Sequence, residues 1–167
     1  RAFGPGRVLV PQNPRFRSGA IAFEEIRSAL REALAGAVSR GERGDPVLLL
    51  EEQSATRVPQ LVPIRYGRML ATPFTFYRGA ALPMAADLAT TTSSGLRVQL
   101  CGDAHLANFG AFASPERRLV FDVNDFDETL PGPFEWDVKR LVASLTVAGR
   151  DNGFSAAERR TIALAGV

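Results

Sequence analysis

The sequence predicts a mixed α+β domain. Apolar residues recur at three- and four-residue steps in two long stretches, which is helical spacing. The run "RRLVFDVN" alternates apolar and polar residues, and "LRVQLC" is a β-like run that leads straight into a glycine.

Residues 1–18 carry Gly, Pro and Arg with little periodicity and read as an extended arm, leaving 19–167 as the domain proper. From Ser18 the pattern is helical: Phe23, Ile26, Leu30, Leu34 and Val38 share a face. Glu24 and Glu25 lie in the early turns and Arg40 near the end, as the helix dipole favours. "RGERGDP" breaks that helix, and "VLLLEE" after it reads equally as a short strand or a helical turn. Pro59, Pro63 and Pro73 punctuate a stretch that reads as irregular, with a short strand at Thr75 to Tyr77. Residues 79–91 predict a helix with Pro83 near its first turn. Strands are expected at 96–101, 108–112 and 117–124, the last with Leu119, Phe121 and Val123 on one side and Asp122 at the surface. "PGP" reads as a turn before the clearest helix, 134–150, whose stripe of Phe134, Val138, Leu141, Val142 and Leu145 is expected in the core with Trp136. Ser155 and Glu158 have capping-box spacing for a final helix.

In 167 residues, 46% hydrophobic and 23% charged content suffices for one core and argues against a disordered chain. A single cysteine excludes an internal disulfide framework and fits a reducing cytosol, so a cytoplasmic location is expected. With only one histidine beside it, a structural zinc site lacks ligands. The net charge is only +2 and the arginines are scattered, which argues against nucleic acid as partner. No run reaches the roughly 18 apolar residues of a membrane span, and none follows a basic start as in a signal peptide. The chain opens on Arg1 and stops at Val167 inside a helical pattern, and is expected to be part of something longer.

Chemistry is concentrated in "LCGDAHLANFGAF" and, one hairpin later, "NDFDE". Asp103, in a loop leaving a strand, can accept the proton of an attacking hydroxyl. Asn108 offers a neutral hard oxygen and Asp125 a charged one, the kind magnesium takes together with substrate phosphates. Phosphoryl transfer is mostly positioning and charge neutralisation, so a base and two such ligands form a large part of a site. The plainer alternatives are a Gly-Asp turn and a solvated hairpin end. Against the second, acids packed where an apolar strand ends are costly without a counter-ion. Cys101 reads as a small buried hydrophobe.

"GDAHLAN" followed by "NDFDE" resembles the catalytic and metal loops of aminoglycoside-phosphotransferase-type kinases. The resemblance implies a partial protein-kinase-like fold: an incomplete small lobe and the start of the large lobe. It makes Asp103 the catalytic base, Asn108 and Asp125 magnesium ligands, and Asp127 a second acid at the metal. His105 becomes a brace of the loop, and Asp137 in "FEWDVKRL" the acid of the following helix that buttresses it. ATP and magnesium are the implied cofactors, with an acceptor the sequence does not name. The chain departs from those kinases at three places: Cys101 replaces the first histidine of the motif, no glycine-rich phosphate loop is present, and no lysine stands at the phosphate-pairing position. Arg65 and Arg78 are the candidates for that last role, although arginine is not lysine's equivalent. With Arg68 they are equally candidates to pair with the acids at 103, 125 and 127. "LVPIRYGRM", "PFTFYRGAA", "LCGDAHLANFG" and "FDVNDFDETLPGPFEWDVKRL" are similar still more closely to a bacterial domain-of-unknown-function family numbered 2252, over about residues 45 to 150.

The first functional expectation is therefore an ATP- and magnesium-dependent phosphotransferase. The second is a kinase-like pseudoenzyme or nucleotide-binding module without transfer. The third is a metal-dependent hydrolase built on Asp103, His105, Asp125 and Asp127, disfavoured by the single histidine.

Overall fold

A computed structural model describes residues 7–9, 20–22 and 45–167, and its architecture is mixed α+β, with helices and small antiparallel sheets. The chain divides into two units, Arg1–Thr90 and Thr91–Val167. Among the described residues no helix is long and apolar enough to cross a membrane.

In the first unit, strands β1 (Arg7–Leu9) and β2 (Ala20–Ala22) pair antiparallel with Val8 opposite Ile21. β1 falls inside the expected arm. β2 takes the opening of the stretch read as helical from Ser18, because its backbone is committed to a ladder with β1; the stripe from Phe23 to Val38 lies outside the described residues. "VLLLEE" resolves as helix: α1 (Pro46–Ser54) starts on Pro46, and the Asp45 carboxylate accepts the Val47 N–H at 2.8 Å. A 3-10 turn (Pro59–Leu61), α2 (Val62–Met69), α3 (Pro73–Arg78) and α4 (Ala81–Ala89) follow.

The stretch read as irregular is therefore largely helical, and its prolines open helices rather than break them. Each of Pro59, Pro63 and Pro73 stands in a first turn, where the missing N–H has no intrahelical partner to lose. The strand expected at Thr75 to Tyr77 is instead α3. Thr72 and Thr75 form a reciprocal capping box around Pro73, and this local hydrogen bonding overrides the β preference of Phe74, Phe76 and Tyr77. Val47, Leu50, Tyr66, Met69, Ala81 and Leu88 form the buried core of this unit, with α1 against α4. Inside it, the Tyr66 hydroxyl donates to Leu50 O at 3.0 Å and meets Ser54 Oγ at 3.0 Å, so these two buried hydroxyls are partnered.

In the second unit, β3 (Arg97–Leu100) pairs antiparallel with β6 (Leu130–Pro133), and β4 (Phe109–Ala113) with β5 (Leu119–Val123) as a hairpin. "PGP" is thus a strand and not the expected turn. In a two-stranded sheet both strands are edges, so Pro131 and Pro133 withhold no N–H that a ladder needs. Asp122 is exposed as expected, but Leu119 and Phe121 on the other side of the strand are exposed too, so the alternation marks a strand without marking a buried face.

Helices α5 (Glu135–Asp151) and α6 (Ala156–Ala165) pack on each other, and Ser155 and Glu158 form the expected capping box. The stripe expected in the core sits differently. Phe134 and Val138 are 38% and 37% exposed and Trp136 is half-buried, while the fully buried positions of α5 are Arg140, Ser144 and Gly149. Val142 and Leu145 point at Gly166 at the end of α6, so part of the stripe serves that helix pair. The other face of α5 is given to the loop after β3.

Candidate functional site

β3 delivers the chain to residue 101, and two contacts with α5 fix what comes next. The Asp137 carboxylate accepts the Cys101 N–H at 2.7 Å and the Gly102 N–H at 3.1 Å, which orients the peptide entering the loop. Gly102 has φ +89°, and a Cβ there would meet the backbone of Glu128. A side chain at 102 is therefore excluded twice, by conformation and by space.

Asp103 follows with its side chain turned towards α5. Arg140 Nε donates to Asp103 Oδ1 at 2.7 Å, and Nη2 approaches the same oxygen at 2.5 Å. The Arg140 side chain is 3% exposed and that of Asp103 14%, so this charge pair is mostly withdrawn from water. His105 is buried; its Nδ1 accepts the Ala107 N–H at 3.1 Å, and its Nε2 stands 3.6 Å from Asp103 Oδ2. With Nδ1 accepting, the neutral ring carries its proton on Nε2, on the side of Asp103. Leu106 N donates to Ser144 Oγ at 2.8 Å, the last tie between loop and helix.

A 3-10 turn (Leu106–Asn108) ends the loop. Asn108 is buried, and its Nδ2 donates to Asp103 O at 2.8 Å, which uses the amide's donor end inside the loop. Across the hairpin, Phe109 is opposite Val123, and Asn124 N donates to Asn108 O at 3.0 Å. The register thus sets Asn108 beside Asn124, one residue before Asp125. Asp125 is exposed; its Oδ1 accepts the Asp127 N–H at 3.2 Å and its carbonyl accepts the Cys101 thiol at 3.4 Å. Asp127 is exposed as well. The Cys101 thiol is buried, and burial pushes its pKa up from the ordinary 9.0, with the carboxylates of Asp137, Asp103 and Asp125 adding to the shift.

Of the residues expected at the site, Asp103, His105, Asn108, Asp125 and Asp137 are joined by these bonds around one loop, and Asp127 joins through its N–H. Among the described residues no three His, Cys, Asp or Glu side chains are gathered as a ready cage. The oxygens at hand suit magnesium better than zinc, since that ion keeps several waters and takes few carboxylates plus phosphate oxygens.

Arg65 and Arg78 lie in the first unit. Arg65 Nη2 donates to Gln53 Oε1 at 3.0 Å and to Gly79 O at 2.7 Å, tying α1 and α2 to the end of α3. Arg78, in the last turn of α3, is exposed. The cation on Asp103 is instead Arg140, which the sequence reading passed over, together with Ser144. A signal was present: Asp137, Arg140 and Ser144 recur at steps of three and four, a polar stripe on a helix otherwise read for its apolar one.

A family described as "Uncharacterized protein conserved in bacteria (DUF2252)" matches residues 57–167, a span that holds both loops and the whole of α2 to α6. The match starts later than the resemblance over residues 45 to 150 suggested, and runs further. No curated protein and no solved structure matches the chain.

Proposed function

For this chain, which belongs to that family of uncharacterized bacterial proteins, we propose an ATP- and magnesium-dependent phosphotransferase of protein-kinase-like fold, acting in the cytoplasm on a hydroxyl acceptor. One observation carries the reading. The hairpin register sets Asn108 beside Asn124 and hence next to Asp125, while the Asn108 amide is tied to the backbone of Asp103. Base, neutral oxygen and charged oxygen are thereby linked through one hairpin base, as transfer of a phosphoryl group requires.

In this reading Asn108 Oδ1 and the carboxylates of Asp125 and Asp127 hold magnesium, which supplies neutralisation of phosphate charge when bound. Asp103 takes the proton of the acceptor hydroxyl. Asp137 and His105 hold the loop that carries it. Arg65 and Arg78 are the arginines proposed for the nucleotide phosphates. Of the two, Arg78 is the more accessible, because it is exposed whereas Arg65 is engaged with Gln53 and Gly79.

Calorimetric titration of ATP into the full-length protein, with and without magnesium, tests this, followed by Asp125→Ala and Asp103→Ala. The expected outcome is magnesium-dependent binding that Asp125→Ala weakens by about tenfold or more, and turnover that Asp103→Ala lowers by about 10² or more. ATP binding indifferent to magnesium, or turnover untouched by Asp103→Ala, sinks the transferase. A second reading, a nucleotide-binding module without transfer, is favoured by the engagement of Asp103 with Arg140. Magnesium-dependent binding with no turnover selects it.

A further inference from the structure

The hairpin of β4 and β5 leaves a strand edge open. Ser114 N donates to Arg118 O at 2.8 Å and Asn124 N to Asn108 O at 3.0 Å, so the hydrogen-bonded pairs of this antiparallel ladder fall on the even positions of β5. The N–H and C=O groups of the odd positions, Leu119, Phe121 and Val123, therefore point away from β4. Among the described residues no third strand joins this sheet. At Val123 the edge is closed, because its N–H donates to Asp122 Oδ1 at 2.7 Å. At Leu119 and Phe121 the backbone faces outwards beside side chains that are 81% and 73% exposed. β5 has none of the prolines, lysines or bulges that blunt an edge.

The segment Arg118-Leu119-Val120-Phe121-Asp122 is its own antiparallel complement. Laid against a second copy and centred on Val120, it sets Leu119 opposite Phe121 twice, as the hydrogen-bonded pairs the open edge can form. Arg118 then stands opposite Asp122 twice, in the closer, non-hydrogen-bonded positions where cross-strand charges attract most. Other registers lose this match. Centring on Phe121 calls on the Val123 N–H, which Asp122 already holds, and centring on Leu119 sets Arg118 against Val120. The β4 edge offers less, since the Phe109 N–H is spent on Leu106 O and only Ala111 and Ala113 follow. We infer that two copies of this chain pair through β5, in the register centred on Val120, to make one four-stranded antiparallel sheet. The contact is isologous and closes on itself as a two-fold dimer. It turns a two-stranded ribbon, marginal by itself, into a sheet with a continuous apolar face of Leu119 and Phe121 from both copies. The paired strands are short, so the dimer belongs to the small, transient class of interface, with micromolar dissociation.

Sedimentation velocity of the full-length protein over a concentration series tests this, with Phe121→Glu, Arg118→Asp and Asp122→Arg, each checked for native circular dichroism. A monomer–dimer equilibrium is expected, weakened by about 10² or more in Phe121→Glu. Arg118→Asp and Asp122→Arg each set like charges opposite one another twice and should each weaken self-association about tenfold. Mixed together, these two variants restore both attractive pairs, so the mixture should associate within about threefold of the wild type. In the wild type, amide exchange at Leu119 and Phe121 should slow as concentration rises. A monomer at every concentration overturns the inference. So does a dimer indifferent to Phe121→Glu, which pairs through another face, or a mixture no stronger than its components, which excludes the register. A monomer whose Leu119 and Phe121 amides are already protected has that edge covered within its own chain. A monomer that sediments with vesicles of equal phosphatidylcholine and phosphatidylglycerol, and loses this in Phe121→Glu, uses the face on lipid. Both results also overturn it.

Discussion

Gly102→Ala perturbs the loop at the point where the structure leaves no room. The backbone is left-handed there, φ +89°, and an ideal Cβ falls 2.5 Å from the Glu128 carbonyl carbon and nearer still to its oxygen, below the 3.0 Å that Cβ atoms keep. Because the obstacle is backbone, it cannot swing away like the end of a side chain; β6 or the loop must shift. Three costs follow. The left-handed conformation costs an alanine about 1–2 kcal/mol. Forcing the shift costs about 1–3 kcal/mol, as overpacking does. Pulling the Gly102 N–H from Asp137, a bond of 3.1 Å, removes roughly 1 kcal/mol more. Gly95 supplies the control: its φ is +86°, and a Cβ there meets nothing within 4 Å. Gly95→Ala carries the conformational cost alone, and both substitutions gain equally from a stiffer unfolded chain. Urea unfolding of the two variants should therefore differ by about 2–4 kcal/mol, with Gly102→Ala the weaker and the m-values alike. A difference under about 0.5 kcal/mol, which is the usual error of adding independent effects, would refute the claim that the loop is wedged against Glu128.

Two further outcomes follow from the same loop. Asp137→Asn keeps one acceptor oxygen and turns an NH2 towards the second backbone donor, so it should cost about 1–3 kcal/mol and speed amide exchange at Cys101 or Gly102; unchanged protection at both amides would count against the buttress. The Cys101 thiol, pushed up by burial from its ordinary 9.0, should resist iodoacetamide at neutral pH in the native protein and react readily in urea. The sign for stability follows. A pKa raised on folding gives stability fully present below 9.0 and lost as pH climbs through the folded value, and an alkaline unfolding curve unaltered by Cys101→Ala would contradict it.

What was legible in the sequence was whatever one element decides by itself. The hairpin of β4 and β5 follows from alternation, and α6 from its capping box. Asp137 was readable as a brace because the resemblance supplies a partner on another element. The misreadings share one cause, a local preference judged without its neighbours. "FTFYRG" has strand-forming residues, but Thr72 and Thr75 close a cap around Pro73 and the helix wins. Two prolines in "PGP" look like a turn until β3 is laid beside them. The largest miss was α5, where an apolar stripe was taken for the buried face.

That miss bears on function. Burying a guanidinium and a carboxylate is expensive, and a pair of well-packed apolar side chains often gives equal or greater stability. A leucine at 140 would meet the needs of a hydrophobic core, so core packing alone does not account for Arg140, which is 2% exposed. Asp103 does account for it: a carboxylate drawn 86% out of solvent contact by its loop requires a charge partner, and α5, the helix that grips the loop through Asp137 and Ser144, supplies one. Ser144 repeats the logic on the backbone, where its hydroxyl satisfies the Leu106 N–H and donates to Leu141 O at 2.7 Å. The polar face of α5 is thus dictated by the loop it faces, and the apolar stripe is displaced towards α6 and solvent. Read in this order, Asp103 comes first and the helix is written around it.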